Sequence, residues 1–138
     1  MKKVTVIYWS GTGNTKMMAE AVAEGAGSDA KLIDVDSAKK EDIINAQAIA
    51  LGCPSMGAEV LEEGSMEPFI ESISGVISGK PVGLFGSYDW GDGQWMKDWV
   101  ERMEDCGANV INEGLTVHLT PEDEGLEACR DLGKDLAK

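Results

Sequence analysis

The sequence predicts an α/β fold: a single doubly wound sheet of five parallel strands with helices on both faces. Three observations predict it. Five short apolar runs alternate with segments of helical periodicity along the 138 residues. The apolar runs are almost continuous, which is typical of strands buried on both faces. No repeat, linker or low-complexity segment interrupts the alternation, so residues 1–138 are expected to form one domain.

The apolar runs give the strands. They are predicted at residues 4–9, 30–35, 48–53, 82–87 and 110–117. Pro54 closes the third strand, and the fifth apolar run leads directly into the last helical segment. We therefore expect the fifth strand to be uninterrupted.

The helical segments follow the strands in order. They begin near residue 14 and cover about 39–46, 69–77, 95–103 and 120–136. In the first helix Met18, Val22 and Ala26 recur at four-residue spacing, which predicts a buried face. Gly25 and Gly27 are expected to end this helix.

The last two helices carry further signals. Trp95 and Trp99 lie four residues apart on one helical stripe, which favours core packing. Thr120, Pro121 and Asp123 resemble an N-cap, a first-turn proline and an approximate capping box, so the last helix is expected to begin there.

The loop after the first strand predicts a phosphate site. Residues 10–15 read Ser-Gly-Thr-Gly-Asn-Thr and connect an apolar strand to a helix. The two glycines allow a tight turn, and the other four residues supply neutral hydroxyl and amide groups. The start of the helix adds unpaired N–H groups and the positive end of its dipole. Such a loop binds phosphate well, although the same residues also form plain turns.

Two other kinds of phosphate loop are excluded. A nucleoside-triphosphate loop needs a lysine after its last glycine, and a dinucleotide-binding loop needs a third glycine. Here Gly13 is followed by Asn14 and Thr15, and the next residue is Lys16, inside the predicted helix. The neutral donor set fits one phosphate monoester held by hydrogen bonds without a metal.

Composition restricts the partners and the compartment. A net charge of −13 argues against nucleic acid or an anionic membrane as partner and favours a basic protein surface. We see no signal peptide or stretch that could span a bilayer. Cys53, Cys106 and Cys129 form no Cys-x-x-Cys pair, so neither a zinc site nor a thiol redox motif is predicted. Free thiols, a cytoplasmic location and a monomer are expected.

Three loops also carry a family resemblance. Residues 8–15, Tyr-Trp-Ser-Gly-Thr-Gly-Asn-Thr, resemble the FMN-phosphate loop of flavodoxins of the short-chain, clostridial type. Residues 53–59 and 85–93 resemble the two loops that contact the isoalloxazine ring in that family. The resemblance covers almost the whole chain and implies a flavodoxin-like FMN-binding domain over 1–138. It also implies the strand order 2-1-3-4-5, with FMN at the switch point between the first and third strands; this order comes from the family and not from the residues.

The resemblance implies a set of residues that bind the cofactor FMN. They are Ser10, Gly11, Thr12, Gly13, Asn14, Thr15, Ser55, Met56, Gly57, Ala58, Glu59, Ser87, Tyr88, Asp89, Trp90 and Gly91. Trp90 and Met56 would lie on the two faces of the flavin ring. The carboxylate of Glu59 would accept a hydrogen bond from flavin N3–H, and the Gly57 carbonyl would face N5. Asp89 stands where the family typically has glycine, so it is expected to tolerate an unusual backbone conformation.

The implied function is that of a low-potential one-electron carrier between redox enzymes, without substrate turnover of its own. Acidic residues would ring the ligand edge and dock the basic surfaces of reductases and electron acceptors: Glu59, Glu62, Glu63, Glu67, Asp89 and Asp92. An FMN-dependent NAD(P)H:quinone reductase is the alternative, although no extra segment for a nicotinamide site is evident. A phosphoacceptor receiver domain needs an aspartate where Cys53 and Pro54 stand. His118 is assigned no role.

Overall fold

The computed structural model describes residues 2–56 and 60–138. The strands in this part of the chain are β1 Val4–Tyr8, β2 Lys31–Asp34, β3 Ala48–Gly52, β4 Pro81–Tyr88, β5 Asn109–Val110 and β6 Leu115–His118. The helices are α1 Asn14–Ala26, α2 Lys40–Ile44, α3 Met66–Ile73, α4 Gln94–Asp105 and α5 Asp123–Ala137, with a 3-10 turn at Val35–Ser37.

The strands form one parallel sheet. Its order is β2-β1-β3-β4-β5, and β6 pairs with β4 beyond the end of β5. The predicted doubly wound α/β fold and the order 2-1-3-4-5 are confirmed.

The sheet separates two apolar cores. Alternate residues of β1 face opposite sides, so Val6 packs on the side of α1 and α5, while Ile7 packs on the side of α3 and α4. Burial on both faces explains why the strand sequences are continuously apolar. The predicted face of α1 is confirmed, because Met18, Val22 and Ala26 are all buried.

Close contact between α1 and α5 depends on glycine. A Cβ at Gly25 would overlap the carbonyl oxygen of Arg130, and a Cβ at Gly133 would overlap the carbonyl oxygen of Val22. Because α1 extends to Ala26, Gly25 lies inside the helix and does not end it, contrary to the prediction. The helix ends at Gly27, whose φ of 106° suits glycine.

The fifth strand is split, so the prediction of an uninterrupted strand is wrong. Between β5 and β6 the side chain of Asn112 pairs with the backbone of Leu84, as Nδ2 donates to the Leu84 carbonyl over 3.1 Å and Oδ1 accepts from its N–H over 3.2 Å. A side-chain amide thus replaces the missing strand partner. Gly114, at φ 89°, turns the chain back into β6 beside Met96.

The start of α5 also differs from the prediction. The helix begins at Asp123 with Glu122 as N-cap residue, and no side chain caps its first turn. Thr120 is exposed and Pro121 is buried ahead of the helix. Between β6 and the helix the chain passes through Leu119, which has a positive φ of 62°.

Candidate functional site

The loops after β1, β3 and β4 meet at the carboxyl edge of the sheet. Backbone hydrogen bonds join the starts of these loops to the ends of neighbouring strands: the Trp9 N–H donates to the Gly52 carbonyl over 3.0 Å, and the Ser55 N–H donates to the Ser87 carbonyl over 3.0 Å. The three loops are therefore held side by side by extensions of the strand ladder. The edge between β1 and β3 is also where the strand order reverses, the usual ligand position in such sheets.

The loop after β1 presents an uncapped helix end. Gly13 is the N-cap residue of α1 at φ 101°, and its N–H donates to Ser10 Oγ over 3.0 Å. No described side chain caps the first turn of α1, and that turn contains no acidic residue. The first N–H groups of the helix thus face the loop, where an anion can accept hydrogen bonds from them.

Thr15 lies behind this loop. It is 1% exposed, and its hydroxyl lies 3.1 Å from the hydroxyl of Ser87, which is also buried. This contact ties the start of α1 to the end of β4. The side chains of the loop that open onto the site are those of Thr12 and Asn14.

A cleft of about 190 Å³ lies between the three loops. It is lined by Trp9, Gly11, Thr12, Asn14, Pro54, Ser55, Met56, Ser87, Tyr88 and Asp89. Eight of these ten were predicted from the sequence. Trp9 and Pro54 were missed because the sequence pattern already accounted for both. Trp9 was interpreted as the end of an apolar run, and Pro54 as the residue that closes a strand.

Other predicted residues stand around the cleft. Trp90 is 60% exposed beside it, and Gly91 is exposed at φ 92°. Gly57, Ala58 and Glu59 lie outside the described residues. A larger depression of about 540 Å³ lies between the end of β6 and the start of α5, and none of the predicted site residues lines it. The smaller cleft is the better candidate, because loop hydroxyls, amides and aromatic rings converge on it.

Asp89 does not have a positive φ, so the loop after β4 does not require its tolerance of unusual backbone angles. Among residues 2–56 and 60–138, Leu119 is the only non-glycine residue with positive φ. The loop after β4 instead contacts the end of β6, where His118 Nε2 lies 2.9 Å from the Asp89 carbonyl oxygen. His118 was assigned no role from the sequence, which carries no signal for a contact with a backbone carbonyl 29 residues away.

Among the described residues, the acids predicted to ring the ligand divide into two groups. Glu63, Asp89 and Asp92 are exposed. Glu62 and Glu67 have hydrogen-bond partners within the chain. The Glu67 carboxylate accepts two hydrogen bonds from Arg102, over 2.8 and 2.6 Å. These bonds hold the pKa of Glu67 below its usual value, so their stabilisation is present at neutral pH and is lost as the pH falls through that lowered pKa.

Glu62 caps α3. Its carboxylate accepts from the N–H groups of Gly64, Ser65 and Met66 over 2.7 to 2.9 Å. A negative charge in this position also complements the helix dipole. The helix after the third strand thus has its own cap, whereas α1 does not.

Two further properties concern the chemistry of the site. Burial raises the pKa of the Cys53 thiol to about 12, so it is not a thiolate at neutral pH. The described residues contain no cluster of His, Cys, Asp or Glu that could hold a metal ion.

No helix in the described part of the chain is long and apolar enough to cross a membrane.

Removal of the Glu62 carboxylate should destabilise the fold. Glu62→Ala leaves three N–H groups at the start of α3 without their acceptor, so the free energy of unfolding should fall by about 1–2 kcal/mol. Urea denaturation measures this. Glu63→Ala is the matched control, since Glu63 is exposed, and should change stability by about 0.5 kcal/mol or less. Equal effects of the two substitutions would show that the cap contributes nothing.

Comparisons with known proteins agree with this geometry. The family model described as Flavodoxin matches residues 6–133. A flavodoxin of Clostridium beijerinckii is 49% identical over an alignment of 135 residues that covers 96% of this chain and 97% of that protein. A flavodoxin of Megasphaera elsdenii is 43% identical over 98% of both chains. The solution structure of two-electron reduced Megasphaera elsdenii flavodoxin matches with a TM-score of 0.86 at 41% identity, over 97% of this chain and 98% of that one.

Proposed function

Because the chain belongs to the flavodoxin family, we propose that its FMN lies in the cleft at the ends of β1, β3 and β4, with the phosphate at the start of α1. The resemblance seen in the sequence is confirmed: the protein is an FMN-binding electron carrier and not an enzyme, and neither the fold nor the comparisons favour a quinone reductase. Bound FMN supplies the chemistry by taking up and releasing electrons, while the protein positions it.

The uncapped first turn of α1 carries the proposal for the phosphate. The backbone N–H groups of residues 11–16 surround the start of a helix that has neither a side-chain cap nor an acidic residue in its first turn. Thr12 and Asn14 line the cleft at the same point. The positive end of the helix dipole favours the dianion over any neutral group. Thr15 supports the loop indirectly, since its buried hydroxyl already contacts the hydroxyl of Ser87.

The other two loops supply the surroundings of the ring. Met56 is half-buried in the cleft, and its N–H donates to the Val60 carbonyl over 3.0 Å, which holds these two residues side by side. Trp90 presents a largely exposed indole that can stack on one face of a flat ligand. Gly57, Ala58 and Glu59, which lie between these two residues in the sequence, are proposed to meet the flavin N5 and N3–H edge, as the family resemblance implies.

Partner docking is proposed at the exposed acids near the cleft. Glu63, Asp89 and Asp92 are exposed on a chain of net charge −13, which would attract the basic surfaces of redox partners. We further propose that the protein acts as a monomer. A cytoplasmic location is proposed because Cys53, Cys106 and Cys129 are free thiols.

Loss of one phosphate contact should distinguish FMN from riboflavin, which has the same ring and no phosphate. Thr12→Ala removes a hydroxyl that faces the proposed phosphate, so FMN should bind about 10- to 100-fold more weakly, as for a hydrogen bond to a charged group. Riboflavin affinity should change about twofold or less. Fluorescence titration of the apoprotein with each ligand measures both dissociation constants.

Two controls accompany this titration. Thr12→Ser keeps the hydroxyl and should retain most of the FMN affinity. Thr116→Ala removes an exposed threonine from β6, outside the proposed phosphate loop, and should change neither affinity. Equal losses for FMN and riboflavin in Thr12→Ala would place the phosphate elsewhere.

A further inference from the structure

We propose that His118 is a positioning residue for the cofactor and that the turn after β6 forms a fourth loop of the site. In this arrangement His118 holds residues 88–90 in the conformation that receives the flavin ring. The inference rests on the proposed placement of FMN between the loops after β1, β3 and β4.

Two successive hydrogen bonds connect the fourth loop to the loop after β4. His118 Nε2 lies 2.9 Å from the carbonyl oxygen of Asp89. A carbonyl oxygen can only accept, so Nε2 carries the hydrogen and donates it. The N–H of Leu119 donates to the carbonyl of Tyr88 over 2.8 Å. Consecutive residues at the end of β6 thus hold consecutive carbonyls at the end of β4 and in the loop after it, and the Leu119 bond continues the parallel pairing of the two strands.

Aromatic contacts reinforce the same connection. The ring of His118 packs on that of Tyr88 with centroids 5.0 Å apart, and Tyr88 packs on Trp95 at 5.7 Å. The indole N–H of buried Trp95 donates to the Cys53 carbonyl over 3.2 Å. A row of three rings therefore links exposed His118 to the core and to the loop after β3. Tyr88 lies in the middle of this row and lines the cleft.

The backbone of the fourth loop is strained at the point of contact. Leu119 has a φ of 62°, in the left-handed region that a branched side chain adopts only against a steric cost. Its side chain is 48% exposed, so burial does not compensate for this conformation. The N–H of the same residue donates to the Tyr88 carbonyl, so the strained conformation begins directly after this contact. Strain of this kind is more common at ligand sites than in purely structural turns.

The His118 contact contributes little to the core. His118, Asp89 and Trp90 are all exposed, so their contact buries little apolar surface. Its main effect is therefore on the order of residues 88–90, next to the cleft. A ligand that binds an ordered loop does not have to order it, so pre-organisation by His118 should increase affinity without much effect on stability.

Binding of both ligands tests the inference. In His118→Ala the affinity for FMN and for riboflavin should fall by the same factor, about fivefold to tenfold, because residues 88–90 face the ring that both ligands share. This equal loss differs from Thr12→Ala, which should affect FMN alone. His118→Phe keeps a ring against Tyr88 but has no donor, so its loss should be intermediate. His118→Gln restores an N–H donor and should recover part of the affinity.

Measurements on the apoprotein separate positioning from stability. The melting temperature of apo His118→Ala should lie within about 2 °C of the wild type, as for an exposed substitution. Amide hydrogen exchange at Trp90 and Gly91 should be faster in apo His118→Ala than in wild type. Thr116→Ala, on the same strand, should change neither property and neither affinity.

The outcomes are distinct. If wild type and His118→Ala bind both ligands equally well, the inference is wrong and the proposed site stands. If the melting temperature of His118→Ala falls markedly and His118→Gln recovers nothing, the role is structural and the inference is also wrong. If wild type binds FMN no better than riboflavin and neither ligand perturbs Trp90, the proposed placement itself fails, and this inference with it.

Discussion

Replacing Trp90 by alanine should weaken FMN binding by about 10- to 100-fold. Trp90 is 60% exposed beside the cleft, which is unusual for so large an apolar side chain. Stacking of a flat heterocycle on an aromatic side chain contributes about 1–3 kcal/mol, which corresponds to that range of affinity. Since riboflavin has the same ring, it should lose affinity by the same factor.

Dissociation constants from fluorescence titration, with melting temperatures of the apoproteins, test this expectation. The apoprotein should keep its stability, because little of the Trp90 side chain is buried. Trp90→Phe retains an aromatic face and should lose less affinity. Leu32→Ala is a control on the edge strand β2, where an apolar side chain is 40% exposed outside the cleft, and it should leave both affinities unchanged. A change of less than threefold in Trp90→Ala would show that Trp90 does not stack on the ring.

Gly133→Ala should lower the free energy of unfolding by about 3 kcal/mol or more. Alanine is a better helix former than glycine, so helix propensity alone predicts stabilisation by about 0.5–1 kcal/mol. The contact between the helices reverses this sign, because the added Cβ would overlap the carbonyl oxygen of Val22 and lie against Ala26. Both of these are backbone atoms and cannot rotate away, so α5 would have to move off α1.

Urea denaturation of the apoprotein measures the effect of Gly133→Ala. Gly75→Ala is a matched control, since a Cβ there would meet nothing within 4 Å and its φ is not positive. It should be neutral or slightly stabilising. Stability of Gly133→Ala equal to that of Gly75→Ala would mean that the helices can separate at little cost.

Much of the fold could be predicted because it depends on local patterns. Apolar periodicity indicated the helices and strands, and the glycine and hydroxyl residues of the first loop indicated the cleft. The break between β5 and β6 could not be predicted in the same way. It depends on the side chain of Asn112, which hydrogen-bonds both the N–H and the carbonyl of Leu84. Leu84 lies 28 residues earlier in the chain. No local pattern distinguishes such an asparagine from one in a turn.

The lining of the candidate cleft was predictable where the residue type itself indicates the chemistry. Thr12 and Asn14 supply neutral donors at a helix start, and both line the cleft. Glu62 also carried a usable signal, since an acidic residue just before a helix often caps it. His118 carried none, because its contact is with a backbone carbonyl, which every residue has. Roles of this kind depend on tertiary geometry and become visible only in the structure.

The most direct test compares amide chemical shifts of the ¹⁵N-labelled protein bound to FMN and to riboflavin. The two ligands differ only in the phosphate, so the shift differences should be concentrated in residues 11–16, at the start of α1. Residues 87–91 should shift on binding either ligand, and by similar amounts. Differences concentrated elsewhere, or an unperturbed loop at residues 11–16 in the FMN complex, would contradict the placement of the phosphate at this helix end.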